Sequence, residues 1–219
     1  DQIFKDFEDI IINDSSTIDR KLIEDLQAEI LTANKIKTAY EFTEVNKGIG
    51  FTRQKGVELS NGEYICFLSH DDKMTPDFLQ VMVSFSEKHP GCILYSKYSN
   101  ISEQGTYMND FNPPEFVSQE DLKISLWEWI SRGDLFINAN TLFIPRKVFE
   151  KAQFSDRRFG EDAEFCLKAS KFFDFVYVPH SLNFYRRHKD QETDNVLDKI
   201  PDNNIEIIKE VKKWWKNEV

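Results

Sequence analysis

The sequence predicts an α/β fold, with a doubly wound, mainly parallel sheet flanked by helices. Three observations carry this expectation. Short apolar runs of strand length recur along the chain. Segments with apolar residues at helical spacing separate them. Glycine, Asn-Gly and proline punctuate the joints. The 219 residues, 19 of them Phe, are enough to bury one sizeable core. No internal repeat or low-complexity linker divides the chain, so a single domain over residues 1–219 is expected.

The run Phe7 to Asp14 reads as a buried strand that ends in polar residues, and Ser15, Ser16 and Thr17 supply capping hydroxyls for a helix from Ile18 to Ala33. Tyr40 to Val45 is a weaker strand. Gly48 and Gly50 break the chain before a short helix, Thr52 to Ser60. After the Asn61-Gly62 turn, Tyr64 to Leu68 is a strand. Pro76 opens a helix through Phe85, and His89-Pro90-Gly91 ends it. Cys92 to Tyr98 is the next strand.

Residues 99 to 118 lack periodicity and read as a long surface loop. Ser118 with Asp121 resembles a capping box for a helix through Ile130. Thr141 to Ile144 is a strand, Pro145 to Lys151 a short helix, Glu161 to Phe172 a helix and Phe175 to Pro179 a strand. The stretch from Arg186 to Asp194 is a basic-polar loop, and Ile205 to Trp215 an amphipathic terminal helix.

The formal net charge of −10 argues against a general nucleic-acid binder and against electrostatic docking on an anionic membrane. Cys66, Cys92 and Cys166 are far apart and odd in number. They indicate neither a disulfide framework nor a zinc knuckle, and suit small apolar residues in a reducing compartment. No apolar stretch nears the roughly 20 residues that span a bilayer, and no signal peptide is visible at Asp1.

Five constellations could carry chemistry. The segment from Asn46 to Asp72 is the most informative, because it runs from a glycine loop through Arg53 into a strand that ends in paired carboxylates. Ligands of open α/β sheets bind at the carboxyl ends of strands, and a cation beside a carboxylate pair suits a phosphate carried with a hard metal. Asn13-Asp14-Ser15-Ser16 offers an acceptor for a nucleobase or sugar hydroxyl, or a plain helix cap. Asn46 and Gly48 with Arg53 form a potential diphosphate clamp, though a lone Arg is usually solvated. Ser69-His70-Asp71-Asp72 would hold a metal or form a solvated loop. Glu161-Asp162 at a helix start compensates the dipole or supplies a general base, and His188 after Tyr185-Arg186-Arg187 is a ligand or a bystander.

Taken in order, these pieces resemble a family 2 glycosyltransferase with the GT-A fold. The matching residues are Asn13 to Asp19; Asn46, Gly48 and Arg53; Gly62 to Asp72 with Pro76; Glu161-Asp162; and the Tyr-Arg-x-His segment that ends at His188. The resemblance implies inverting transfer from a nucleoside-diphosphate sugar, a UDP-sugar, with Mn2+ or Mg2+ stabilising the leaving diphosphate. It implies a donor half over 1–98, an acceptor half over 99–188, and a loop and helix over 189–219.

The resemblance also assigns roles. Asn13, Asp14 and Ser16 would meet the nucleoside, and Asn46, Gly48, Arg53, His70 and Asp72 would surround the donor. Asp71 and His188 would hold the metal, and Asp162 with Glu161 would serve the acceptor hydroxyl. The acceptor would be a saccharide or lipid-linked saccharide, as in polysaccharide or glycoconjugate synthesis. Nucleic acid is not an expected partner. The expected location is the cytoplasm, including the cytoplasmic face of a membrane, and oligomerisation is left open.

Three departures stand out: Asn13 replaces the first acid of the base-binding pair, Ser69 replaces the first acid of Asp-x-Asp, and the chain begins where the family's first strand and helix have usually passed. They motivate an alternative, a non-catalytic nucleotide-sugar or glycan-binding module, or a scaffold in a synthase complex. A nucleotidyltransferase would want a Gly-rich, Lys-bearing loop near the first strand, and none is visible. Trp127 and Trp129 are candidates for stacking on a sugar or for the core, and Trp214 and Trp215 for anchoring the last helix or an oligomer contact.

Overall fold

The computed structural model describes residues 2–16, 20–34, 36–191 and 200–217. Thr17, Ile18 and Asp19 of the expected cap and motif, and residues 192–194 of the expected polar loop, lie outside the described residues. In chain order the elements are β1 (Glu8–Asp14), α1 (Arg20–Asn34), β2 (Lys37–Thr43), α2 (Ile49–Leu59), β3 (Tyr64–Cys66), β4 (Lys73–Met74), α3 (Phe78–Lys88), β5 (Ile93–Ile101), β6 (Tyr107–Phe111), α4 (Gln119–Ser131), β7 (Leu142–Pro145), α5 (Glu161–Ala169), β8 (Phe175–Arg186) and α6 (Ile200–Asn217).

The strands form two sheets. β1 and β2 pair in parallel. The larger sheet has the order β3-β7-β5-β8-β4, with β6 added to β5. Its pairing is mixed, where the alternating pattern led to the expectation of a mainly parallel sheet: β5–β8 is parallel, and the other pairings are antiparallel. Side chains alternate across a strand, so each central strand feeds two cores. Ile93, Tyr95, Leu142, Ile144 and Phe175 face the core under α4, α5 and α6. Leu94, Phe143, Val178 and Leu182 face the core under α3, with Phe78, Leu79 and Met82.

Three departures from the expected elements have local causes. β8 does not stop at Pro179. Its pairing slips between Ser96 and Lys97 of β5, passing from Val178 to Ser181, so a bulge absorbs the missing proline N–H and the strand continues to Arg186. β6 forms a hairpin with β5 inside the expected loop; its residues before Phe111 are all exposed, Tyr107 and Met108 included, so no apolar alternation marks it in the sequence. β4 is only two residues, yet it pairs Lys73 and Met74 with Phe184 and Asn183 of β8. That short ladder brings the Asp71-Asp72 loop to the end of β8.

The capping box forms as expected: Ser118 Oγ accepts from Asp121 N at 3.1 Å and donates to the Asp121 carboxylate. Trp127 and Trp129 are half-buried against the main core, edge-on to Trp215 and Phe136. Cys166 is buried and all three cysteines are free.

β1 and β3 each pair on one side only among the described residues. A cleft of about 2080 Å³ is lined by β1 and by the β3 segment from Tyr64 to Leu68. The cleft lies between these two edges.

The main core closes around an aromatic stack. Phe165 is fully buried, with its ring 4.4 Å from Phe154 and 5.5 Å from Phe149. Phe165→Ala is expected to lower the unfolding free energy by about 3–5 kcal/mol in urea melts. A loss below about 1 kcal/mol would mean that this stack does not hold α5 to the 3-10 turn at Arg146–Glu150.

Candidate functional site

All twelve residues singled out from the sequence line the one cleft: Asn13, Asp14, Ser16, Asn46, Gly48, Arg53, His70, Asp71, Asp72, Glu161, Asp162 and His188. They come from the end of β1, the β2–α2 loop, α2, the β3–β4 loop, the start of α5 and the end of β8.

At the β1 end, Asp14 works as an internal anion. Its carboxylate accepts from Lys47 N at 2.9 and 3.0 Å, from Gly48 N at 2.7 Å and from Thr43 Oγ1 at 2.6 Å. A carboxylate on the amides that precede α2 complements the positive end of the helix. Asn13 Oδ1 accepts from Ser16 N, and its amide donates to Tyr40 Oη, so Asn13 builds the turn as a cap does. Asn46 Nδ2 donates to the Asp14 carbonyl at 3.4 Å.

The start of α2 is packed tightly from above. Gly50 N donates to Arg157 O, and a Cβ on Gly50 would lie 1.9 Å from Ser155 O. Only glycine lets the 155–158 loop lie this close. Arg157 fixes that loop: it binds buried Glu164, whose carboxylate also meets Lys168 and Ser155, and reaches Glu210 on α6. These cations and hydrogen bonds keep the Glu164 carboxyl below its ordinary value despite burial.

Arg53 does not extend into open space. Its guanidinium pairs with Glu161, both side chains being 10% exposed or less, and stands near the faces of Phe67 and Phe154. Burial and the neighbouring Asp162 charge push the Glu161 carboxyl up, while Arg53 pulls it back. Glu161 is thus committed to Arg53. Asp162, the next residue, is half-exposed to the cleft and bonds only its own helix, accepting from Ala163 N at 2.9 Å. The αL turn at Gly160, φ 75°, allows α5 to start here; a Cβ on Gly160 would meet Asn203 Nδ2 at 2.6 Å and Ile207 Cδ1 at 2.8 Å.

The β3–β4 loop carries the third cluster. Asp71 Oδ2 and His188 Nε2 lie 3.1 Å apart, 117 residues apart in the chain. Asp72 turns the other way: it accepts from Arg186 N at 2.8 Å and from Asn140 Nδ2 at 2.5 Å. Burial pushes its carboxyl up to about 6, and the Asp71 charge adds to the rise, against the pull of those hydrogen bonds. Asp72 is therefore a strut, and the same Asn140 amide holds the Ser69 hydroxyl, at 3.1 Å. Arg186 completes the strut, donating from Nε to Asp71 O at 2.7 Å. His70 is exposed on the rim. Asn140 was not singled out from the sequence, because a buried Asn before a strand carries no signal of its own; Arg186 was read there only as part of the Tyr-Arg-x-His segment, without a role.

The donor chemistry of this corner fits a hard cation in part. One carboxylate and one imidazole converge, and no cluster of three or more His, Cys, Asp or Glu is found among the described residues. Mg2+-like ions commonly take one or two protein ligands and complete their shell with waters and substrate phosphates.

Comparisons with known proteins agree with this geometry. The model of Glycosyl transferase family 2 matches residues 1–151 of the 219. The amylovoran biosynthesis glycosyltransferase AmsB of Erwinia amylovora is 30% identical over 192 residues, which are 84% of this chain and 62% of that protein. Glycosyltransferase GlyG of Streptococcus pneumoniae serotype 4 is 25% identical over 196 residues, 85% of this chain and 63% of that protein. The chain thus spans a little over three fifths of these relatives. Among solved structures, S. aureus TarS 1-349 in complex with UDP-GlcNAc superposes with a TM-score of 0.67 at 19% identity, over 88% of this chain and 54% of that one. The fold is that of a GT-A glycosyltransferase.

The buried pair gives a stability prediction. Arg53→Leu leaves the Glu161 carboxylate buried without its cation, and is expected to cost about 3–5 kcal/mol at pH 8 in urea melts. The loss should shrink at pH 5. Without Arg53 the folded-state carboxyl is raised further, so the folded form holds the proton, and its stability is lost as pH rises. Arg53→Leu with Glu161→Gln should recover most of the loss at pH 8. Equal losses at both pH values would show that the pair is not electrostatically linked.

Proposed function

This chain belongs to Glycosyl transferase family 2, and on that premise we propose that it transfers a sugar from a nucleoside-diphosphate sugar, of the uridine class, to a hydroxyl of a saccharide acceptor. The single observation that carries the proposal is the cleft itself: all twelve residues given a donor, metal or acceptor role line it. A structural neighbour that holds UDP-GlcNAc supports the uridine class, and a relative in amylovoran biosynthesis supports a saccharide acceptor. A lipid-linked saccharide fits the same reading. Among the described residues no helix is long and apolar enough to cross a membrane, so contact of this part with a lipid-linked acceptor would be peripheral.

The geometry supports the following roles. The β1 end and the β2–α2 loop receive the nucleoside, with Asp14 shaping that loop through the amides of Lys47 and Gly48. Asp71 and His188 would hold Mn2+ or Mg2+, whose chemistry is to neutralise the charge developing on the leaving diphosphate. Asp72, Asn140 and Arg186 keep Asp71 facing His188. Asp162 is the general base: it takes the proton of the acceptor hydroxyl as the oxygen attacks the anomeric carbon and the nucleoside diphosphate departs. Attack from the face opposite the leaving group inverts that carbon. Arg53 holds Glu161, and through it the first turn of α5, in place.

One observation favours a second reading. Asp14 and Arg53, two of the groups expected to meet the donor, are paired inside the protein. A module that binds nucleotide-sugar or glycan without turnover would tolerate that.

The deciding measurement is release of UDP from UDP-GlcNAc and UDP-glucose with Mn2+, with and without a saccharide acceptor. Asp162→Asn is expected to lower turnover by about 10²–10⁴-fold with little change in UDP affinity. Asp71→Ala should weaken the Mn2+ dependence of UDP binding as well as turnover. Full activity in both variants would sink these roles. UDP binding in calorimetry with no turnover of any donor would favour the second reading.

A further inference from the structure

The proposed reaction needs an acceptor hydroxyl between Asp162 and the Asp71–His188 corner. The loop after α4 runs between those two points. Asn204 Nδ2 of α6 donates to Ile130 O, at the end of α4, at 3.0 Å, and Asn203 Nδ2 donates to Phe159 O, just before α5. Two adjacent amides thus hold the end of α4 beside the turn that leads to Asp162. At its other end the loop reaches Asn140, whose amide holds Asp72 and the Ser69 hydroxyl. Between these ends Asp134 and Asn138 line the cleft, and Tyr98 of β5 and Tyr185 of β8 line it too.

The sequence offered Trp127 and Trp129 as sugar platforms. Both indoles are taken by other rings: Trp127 stands edge-on to Trp215 and Trp129 edge-on to Phe136, and neither lines the cleft. The aromatic surface beside the loop is instead Tyr98 and Tyr185, with ring centroids 5.7 Å apart and planes at 61°. Phe111 braces Tyr98 from across the β5–β6 ladder, stacked at 4.9 Å. Arg187 stands over the Tyr185 ring, 5.7 Å from its centre, and its backbone N–H is fixed to Ile101 O at 2.8 Å. Rings held in this way lose little further freedom when a ligand packs on them.

The polar groups of this wall converge on one point. Burial pushes the Tyr98 phenol up to about 12, and besides the Tyr185 phenol the groups that act on it are Asp134, Arg187 and Asp72. Asp134 is exposed, and its Oδ1 accepts from Leu135 N at 2.8 Å. Asn138 Oδ1 accepts from Asn140 N at 2.9 Å. The second carboxylate oxygen of Asp134 and the amide nitrogen of Asn138 have no partner among the described residues. An aromatic wall rimmed by a carboxylate and an amide suits a polyhydroxylated ring. The C–H face of such a ring packs on aromatic carbon, and its hydroxyls donate to a carboxylate. Two carboxylates face this point against one guanidinium, so a sugar with its own carboxylate meets like charge.

On the basis of the transferase reading, we propose that Tyr98, Tyr185 and Asp134 form the subsite for the reacting sugar of the acceptor, and that this sugar is an uncharged pyranose. Its apolar face packs on the two tyrosine rings, and its hydroxyls bond Asp134 and Asn138. Tyr98 and Tyr185 set the orientation of the ring, and Asp134 excludes an acidic one.

The probes are methyl β-D-glucoside, methyl β-D-galactoside, methyl N-acetyl-β-D-glucosaminide and methyl β-D-glucuronide, each added to the full chain with UDP and Mn2+. Saturation-transfer NMR should show tyrosine-ring contacts to at least one neutral glycoside, and weaker contacts to the glucuronide. Tyr185→Leu is expected to weaken binding of that neutral glycoside about tenfold, and Tyr185→Phe to preserve it. Asp134→Asn should bring the glucuronide level with the neutral glycoside. Calorimetric affinity for UDP, measured on the same variants, checks that the cleft is intact in each. Three outcomes overturn the proposal: no neutral glycoside bound by a chain that binds UDP, a glucuronide bound more tightly than every neutral glycoside, or equal binding by Tyr185→Leu. The transferase reading fails by a different result, no UDP release from any donor. Tyrosine contacts to a neutral glycoside in such a chain would uphold the sugar subsite as one for glycan binding without transfer.

Discussion

The parallel ladder between β5 and β8 sets the distances in the cleft. It runs for nine residues of β5, and every other strand of the larger sheet is referenced to it. β7 lies on one side and carries β3. β4 lies on the other side, next to β8, and carries the Asp71-Asp72 loop. The chain leaves β3 at one edge of the sheet and returns at the other in six residues. Only because β8 continues past Pro179 does it deliver Arg186 and His188 to meet that loop. If β8 ended at the proline, neither the Asp72 strut nor the Asp71–His188 pair would exist.

A chain with a net charge of −10 must place its acids with care. Three buried or half-buried carboxylates show three solutions. Glu164 is saturated by Arg157, Lys168 and Ser155, and its carboxyl falls below the ordinary value. Glu161 has a single guanidinium and an adjacent Asp, and its carboxyl rises. Asp72 has two neutral donors and an adjacent Asp, and its carboxyl also rises. The full set of partners marks a structural anchor, whereas the two under-compensated acids sit beside Asp162 and Asp71. Charge strain is thus concentrated beside Asp162 and Asp71.

The sequence made the order of elements legible, because apolar runs and helical spacing are local signals. It also marked cleft residues whose chemistry is unusual for their position, such as Asp71 after an apolar strand. What it hid depends on pairing. The parallel sense of β5–β8, the antiparallel returns of β7 and the exposed β6 hairpin are decided between segments, and no single segment records them. The same holds for roles. Arg53 and Glu161 were read separately as a clamp and an acid, and only the packing of α2 against α5 joins them. Asn140 was invisible because its value lies in reaching Ser69 and Asp72 together.

The separation of β1 from β3 is the remaining constraint. Asp14 stands at the end of one strand and the Ser69–Asp72 loop follows the other, so the separation of these two ends sets the width of the cleft there. Within the larger sheet such spans are held by ladders of backbone bonds. Between the starts of β1 and β3 the bonds seen are those of one Glu8 carboxylate, and the Arg53–Glu161 pair ties α2 to α5. A carboxylate and an ion pair resist shear less than a ladder does, because each fixes one point where a ladder fixes a line.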